Sequence, residues 1–585
     1  MKLKNLKIEF ISALLLAFTL VNCTDLEEVV LDENLGDEVG SVDAALAAAY
    51  ERLSDGLMVD NSGFIALQEY TTDEALLPTR GSDWGDGGKW RSMHEFTWNP
   101  SNAIITDNFN RLTNGIVRAI TAIQTIDGSG DANEALFLAE AKALLAYYTY
   151  ETLELYGQAP YRDPLGENQE LQILKAETAI DDLIADVEAL LPQLAPSGEQ
   201  NTFAGRFTRE AGYAFLAEMY LNRATLKDKY NASSSFDFNE TSVDGNSTDM
   251  QKVIEYTSNL INSGKYSLEA NYFDNFSRGN ENSSEMIFAV IQQITDLKKG
   301  DNDLGYVNQA RNQRPTPNER GTNATCTTPE FFHSWDNDMD DPRLTRKYQY
   351  DDGTWFMNDG TDTSVPATST INGDLWFHFN RGILYGQQYG PKLDGNGGFI
   401  MTSDGRIEVF QLFMEKSEGT PMDFTPELSF DDPNVAVFAQ NQINQGARIF
   451  KYEFDAEFNN GASGIDVPVY RLGGMYAMRA EAYLRSGQNA LALNDINKLR
   501  TSRTREALYG NAPGTALPAI DAEILYRELG HEMYWEYKRR KQMIRFGKFD
   551  LPYTAKPQSQ PYRRVFPIPQ ETIDVTPQFT QNQGY

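Results

Sequence analysis

The chain has 585 residues, enough to bury a large core in several domain-sized units. Hydrophobic residues make up 41% and charged residues 23%, the balance of a globular protein rather than a disordered or fibrous one. A net charge of −33 repels phosphate, which excludes a nucleic-acid partner and disfavours anionic membrane surfaces and anionic polymers.

Residues 1–22 read as a signal peptide. Lys2, Lys4 and Lys7 form a basic start, and the apolar run from Phe10 to Val21 is too short to span a bilayer. Leu20-Val21-Asn22-Cys23 then resembles the lipobox of bacterial lipoproteins, with Asn22 departing from its usual small residue. That resemblance implies cleavage before Cys23 and acylation of its thiol; the alternative is an ordinary secreted protein with an incidental Cys. Only Cys326 remains besides, so one lipidated and one buried cysteine is the expected arrangement, and a disulfide scaffold is excluded. Losing residues 1–22 removes a net +2 and leaves −35. Residues 23–40 form a tether whose Asp25, Glu27 and Glu28 resemble a surface-export signal.

Helical patterns follow in two blocks. In the first, residues 41–270, amphipathic helices are predicted at 41–54 behind an N-cap Ser41, and at 101–126, 131–156, 176–191, 208–226 and 249–263. Residues 56–100 interrupt this block as a loop region. In the second, residues 471–585, helices are predicted at 472–486, 488–503 and 521–541, followed by a closing tail. Ala480, Tyr483, Gly487 and Ala492 carry the spacing of a tetratricopeptide unit, which buries its apolar face only by stacking on neighbours. Residues 271–470 lose helical periodicity and are rich in Gly, Asn, Asp, Pro and aromatics, which predicts an irregular, loop-rich excursion. The fold class expected is therefore all-α, a tetratricopeptide-like scaffold with a large irregular insertion.

Catalytic and metal signatures are missing. His531-Glu532 begins like a zinc-protease helix, but Trp535 occupies the second ligand position. The Asp336-to-Asp340 run begins like a calcium loop, with Asp341 where glycine is required and Lys347 where the bidentate Glu belongs. No nucleophile elbow or phosphate loop occurs. No metal, cofactor or catalytic residue is expected, although a pair of glycosidase carboxylates is a matter of spatial separation that sequence does not address.

Six of the seven tryptophans fall in the irregular segments, and only Trp535 in a predicted helix. Flat rings among Asp, Asn, Arg and Gly suit a sugar, whose C–H face stacks on the ring while planar polar groups bond its hydroxyls. Arg80 to Asp86 supplies both elements. Trp84, Trp90 and Trp376 are the predicted stacking rings, with Arg80, Asp83 and Asp86 for hydroxyls. Trp335 and Trp355 rank lower, and Trp98 reads as a scaffold plug. The competing reading is that each Trp plugs its own loop onto the scaffold.

Several stretches carry a family resemblance: residues 139–161, Asn337 to Leu344 with an Asp-x-Arg landmark, 478–500, the Glu-rich then basic 525–549, Pro-Ile-Pro at 567–569 and Gln-Asn-Gln-Gly-Tyr at 581–585. In that order they resemble SusD/RagB-type outer-membrane lipoproteins. The resemblance implies no catalysis, surface exposure through a lipid anchor at Cys23, and delivery of oligosaccharide to a SusC-like TonB-dependent transporter. The charge favours a neutral glycan, and stacking rings on separate loops suit a curved chain such as a β-1,3-glucan of the laminarin type; starch-like α-glucans meet the same argument. A peptide-binding uptake component of the RagB kind and a carbohydrate-active enzyme are the alternatives.

Overall fold

The computed structural model describes residues 41–585 except 82, 168–169, 234, 293–299, 320, 324, 372, 416–418, 429–436, 439–442 and 456–462. The signal segment, Cys23 and the 23–40 tether lie outside the described residues.

Fourteen helices occur among the described residues. The scaffold is made by α1 (Val42–Ser54), then, after the short α2 (Phe64–Gln68) and α3 (Lys89–Glu95), by α4 (Ala103–Ile126), α5 (Glu134–Tyr156), α6 (Ala176–Leu190), α7 (Arg209–Lys227) and α8 (Asp249–Ile261). After α9 (Pro329–His333) come α10 (Leu472–Arg485), α11 (Asn489–Ser502), α12 (Ala522–Met533), α13 (Arg539–Arg545) and α14 (Gln570–Val575). Local chemistry starts and stops them. The Ser41 side chain accepts the Ala44 N–H, Asn102 accepts from Ile104 and Ile105, and Thr248 with Gln251 closes a capping box at α8. Gly157, at φ 68°, ends α5 in the left-handed conformation.

The helices stack in sequence. α1 lies on α4, α4 on α5, α5 on α6, α6 on α7, α7 on α8, α8 on α10 and α10 on α11. This is the quasi-one-dimensional arrangement of helix-pair repeats. Within it, α5 is buried on every side from Leu136 to Tyr156 save a few positions, and Gly115 of α4 lets Tyr148 of α5 cross closely. The tetratricopeptide-like unit is where the spacing predicts it: Ala480 and Ala492 are buried in the α10–α11 contact, and Gly487 turns between the helices at φ 73°. The closing motif staples the tail to α5, for Asn582 Nδ2 donates to the carbonyls of Tyr156 and Phe566, both at 2.7 Å.

The all-α expectation is too narrow. Eighteen short strands accompany the helices among the described residues, fourteen of them in the excursion. The longest pairing joins Val467–Arg471 to Met286–Val290, antiparallel, and ties the entrance and exit of the excursion together at the base of α10. Two three-stranded sheets follow. One orders Arg448–Phe450, Arg381–Leu384 and Thr345–Arg346; the other orders Tyr389–Pro391, Ile407–Gln411 and Ser364–Val365. They enclose a second apolar cluster rich in aromatics, with Phe356, Trp376, Phe377, Phe379 and Phe424.

The helix expected at 521–541 is broken. It runs as α12 and α13, and between them Trp535 and Tyr537 both take φ 63°. The cause is tertiary: the carboxyls of Glu74 and Glu69 accept the Trp535 and Tyr537 N–H groups, each at 2.6 Å, where a continuous helix would bond them to its own carbonyls. Trp535 is consequently a buried plug, not a helix-face residue.

Candidate functional site

An ionic seam seats the excursion on the C-terminal helices. Arg343 bonds Asp341 at 2.8 Å and Glu528 at 3.0 Å; Arg500 bonds Glu528 at 2.7 Å. Arg471 reaches Glu532 and Glu536, each at 2.7 Å, and Arg503 binds Glu285 and Glu532. All of these side chains are out of contact with water. Burial would raise the Glu532 carboxyl, but Arg503, Arg471 and Arg343 outweigh it and hold the group well below the usual carboxylate range. The Asp-x-Arg landmark and the Glu-rich helix are thus the two sides of one structural joint. Asp338, Glu528 and His531 also approach closely enough to share a cation. Arg500 already bridges Asp338 and Glu528, and His531 stacks on Trp335 with centroids 3.4 Å apart, so the cluster is charge-satisfied without an ion.

The tryptophans divide on exposure. Trp90 and Trp376 are each 3% exposed, and Trp98 and Trp335 are buried as well. Trp376 stacks on Phe454 inside the second cluster, and Trp98 donates to Tyr585 Oη at 2.8 Å. These four plug loops onto the scaffold, and the expectation of open faces at Trp90 and Trp376 is corrected accordingly. Only Trp84 and Trp355 remain half-buried. Arg80 is corrected too. It is fully buried, and its guanidinium donates to the Gln445 carbonyl at 2.8 Å and the Ile443 carbonyl at 3.1 Å, clamping the 79–90 segment to the excursion.

What remains of the predicted group converges with residues from two other segments. Between residues 81 and 88 the backbone enters the left-handed region at Gly81, Trp84, Asp86, Gly87 and Gly88. For Trp84 (φ 58°) and Asp86 (φ 36°) that conformation costs about 1 kcal/mol or more apiece, and such strain collects at functional sites. The Trp84 ring meets Trp90 edge-on at 5.6 Å, and its Nε1 donates to the Thr322 carbonyl at 3.2 Å. Trp90 Nε1 in turn donates to Asp86 at 2.7 Å, so the buried ring braces the exposed loop from behind.

Around Trp84 stand polar groups from sequence-distant loops. Arg311 lies 3.7 Å from Asp83 and 3.6 Å from Glu415, and Arg314 lies 3.7 Å from Glu415. Asn312, at φ 76°, donates to the Phe413 carbonyl at 2.9 Å, and the Phe413 ring is 36% exposed. The face thus sets the Trp84 ring beside planar donors and acceptors. Its ion pairs are long, between side chains that keep 10 to 26% of their surface exposed. Arg311, Arg314 and Glu415 have no signal in the sequence that sets them beside the Trp84 loop; only the folded loops do.

The chain is a helical-repeat scaffold that carries an aromatic, polar-rimmed face on inserted loops. Residues 284–560 match the SusD family, and the chain is SusD-like. The starch-binding protein SusD of Bacteroides thetaiotaomicron is 24% identical over 91% of this chain and 87% of its own length. The SusD-like protein P25 of Formosa agariphila is 23% identical, covering 82% and 80%. Among solved structures, a laminarin-binding SusD-like protein superposes with a TM-score of 0.60 at 17% identity, over 93% of this chain and 99% of its own. Surface glycan-binding protein A from Bacteroides uniformis superposes with the same TM-score and identity, over 92% and 98%.

Proposed function

We propose that the protein is a surface lipoprotein that captures a neutral polysaccharide on the Trp84 face and passes it to a SusC-like transporter in the same outer membrane, without catalysis. The observation that carries the reading is the strained Trp84 platform, braced by Trp90 and rimmed by Arg311, Asp83 and Glu415. Acidic groups on the rim and a net charge of −33 disfavour an anionic glycan. Laminarin is the ligand named for one structural neighbour and starch for one curated relative. A β-1,3-glucan is our choice, because a face assembled from separate loops suits a curved chain. Among the described residues no helix is long and apolar enough to cross a membrane, and the anchor proposed is the acylated Cys23.

Affinity electrophoresis against laminarin, starch and peptides tests the reading. Trp84→Ala is expected to weaken glycan binding about tenfold or more, as when an aromatic anchor is truncated, with little change in Tm. Peptide binding without a glycan shift overturns it in favour of a peptide-uptake component, and release of reducing ends by pure protein overturns it in favour of an enzyme. Retention of Cys23→Ala in the membrane fraction would remove the anchor from the proposal.

A further inference from the structure

The excursion carries a second cleft, of about 300 Å³, that shares no lining residue with the Trp84 face. Its floor is the strand Thr345–Arg346 and the tight hairpin that follows. Gln349 and Trp355 pair directly across that hairpin, which Gly353 turns at φ 85°, so the two side chains lie abreast at the cleft wall. Tyr348 is held flat by stacking on His378, with centroids 3.9 Å apart and planes 7° from parallel. Burial lowers the His378 pKa to about 3, so the support under Tyr348 is a neutral ring.

Arg346 is the unusual member. In this protein the fully buried Arg343, Arg471, Arg500 and Arg503 each hold at least two carboxylates. Arg346 is half-buried at the cleft, donates once to the Thr504 carbonyl at 3.2 Å, and has no carboxylate within 4.0 Å among the described residues. Burying a guanidinium without an anion is costly unless acceptors arrive. Opposite it, Glu453 uses one carboxylate oxygen on the Arg278 N–H at 3.0 Å, and Asp274 uses one on Asn271; the other oxygen of each accepts no hydrogen bond from the described residues.

We propose that this cleft is a second saccharide-binding site, taking one or two neutral pyranose units of a glycan. Trp355 offers the stacking face, Arg346 and Gln349 donate to hydroxyls, and Asp274 and Glu453 accept from them. Three cations, Arg346, Lys347 and Arg381, line the cleft with the two carboxylates, whose open acceptor positions suit hydroxyl donors. The volume is at the small end for ligand pockets, which fits a short stretch of sugar rather than a long chain. The inference rests on the glycan-binding reading of the Trp84 face and adds a second foothold, by which a polysaccharide engaged at both places is held more tightly than at either.

The test is isothermal titration of the detergent-solubilised full chain with laminaritriose and maltotriose, which are short enough to occupy the sites separately. Two sites are expected in the wild type for the favoured sugar. Trp355→Ala and Arg346→Met should each remove one site, or weaken it about fivefold or more, while the Trp84 site titrates unchanged. Arg346→Met keeps the aliphatic stem and guards against a folding artefact at Trp355, and the Tm of both variants is measured alongside. A single wild-type site abolished by Trp84→Ala and untouched by the cleft variants overturns the second site and leaves the proposed function standing. No binding of either sugar by the wild type, with laminarin and starch also unbound, overturns both.

Discussion

Around Arg471 and Glu532, and again around Trp84 and Arg311, arginines meet carboxylates, yet the two regions do opposite work. In the seam beneath the excursion the ion pairs are dry and short, most between 2.7 and 3.0 Å, and each guanidinium holds two or more carboxylates. On the Trp84 face they are partly exposed, 3.6 to 3.7 Å long, and beside a backbone that passes repeatedly through the left-handed region. Removing one partner from the seam strands a charge without water. Removing one from the face leaves a partner that keeps part of its surface in water. The same residue types are therefore structural in one place and available to a ligand in the other, and exposure decides which.

That contrast is open to direct attack, and the harshest attack is on the seam. Arg343→Met leaves Asp341, Glu528 and Glu532 short of a cation, so about 3–5 kcal/mol of stability should be lost. Thermal unfolding checks it, and a Tm near that of the wild type would show the seam to be dispensable.

A gentler probe is the carboxyl pair that breaks the C-terminal helix. Burial pushes Glu74 up to about 7 and, with Glu74 beside it, drives Glu69 well above the usual carboxylate range. A carboxyl that binds its proton more tightly when folded adds stability that is fully present below its unfolded pKa of about 4.3 and is lost as pH rises through the folded value. The wild-type Tm should thus fall between pH 6 and pH 8, and Glu74→Gln should flatten that fall while keeping an acceptor for the Trp535 N–H. Equal slopes for the two proteins would mean that Glu74 ionises normally.

On the face the expected signs reverse: binding changes and stability does not. Trp84→Ala should weaken glycan binding by about 1–3 kcal/mol in affinity electrophoresis. Smallest is Arg311→Gln, which removes a charge but keeps a planar donor; it should cost about 1 kcal/mol of glycan affinity, with Tm unchanged. A large Tm loss in either variant would make the face part of the scaffold and erase the distinction from the seam.

Much of the scaffold was legible because helix periodicity and capping are local. Helices form at 131–156 and the other ranges predicted, with Ser41 capping the first as expected. The tetratricopeptide-like unit was legible for the same reason, and the closing tail through its family resemblance. Whether a ring in an irregular segment is open or buried was not, because that depends on what arrives from elsewhere in the chain. Trp90 and Trp376 lie in segments as polar as the one around Trp84, yet Tyr70 and Phe454 cover them. Arg80 sits in a sugar-like motif and is consumed by two carbonyls more than 360 residues away. Trp355 ranked low in sequence and is one of the two half-buried tryptophans.

By itself, then, the sequence determined the repeat scaffold, the irregular insertion and the type of ligand chemistry the insertion suits, since helix patterning, capping and residue type act over a few neighbours. The tertiary structure alone decided which charges are dry, which rings keep a face to solvent and where the last long helix breaks. Burial and hydrogen-bond competition are settled between segments hundreds of residues apart: Glu69 and Glu74 take the N–H groups of Tyr537 and Trp535 only because folding brings them there.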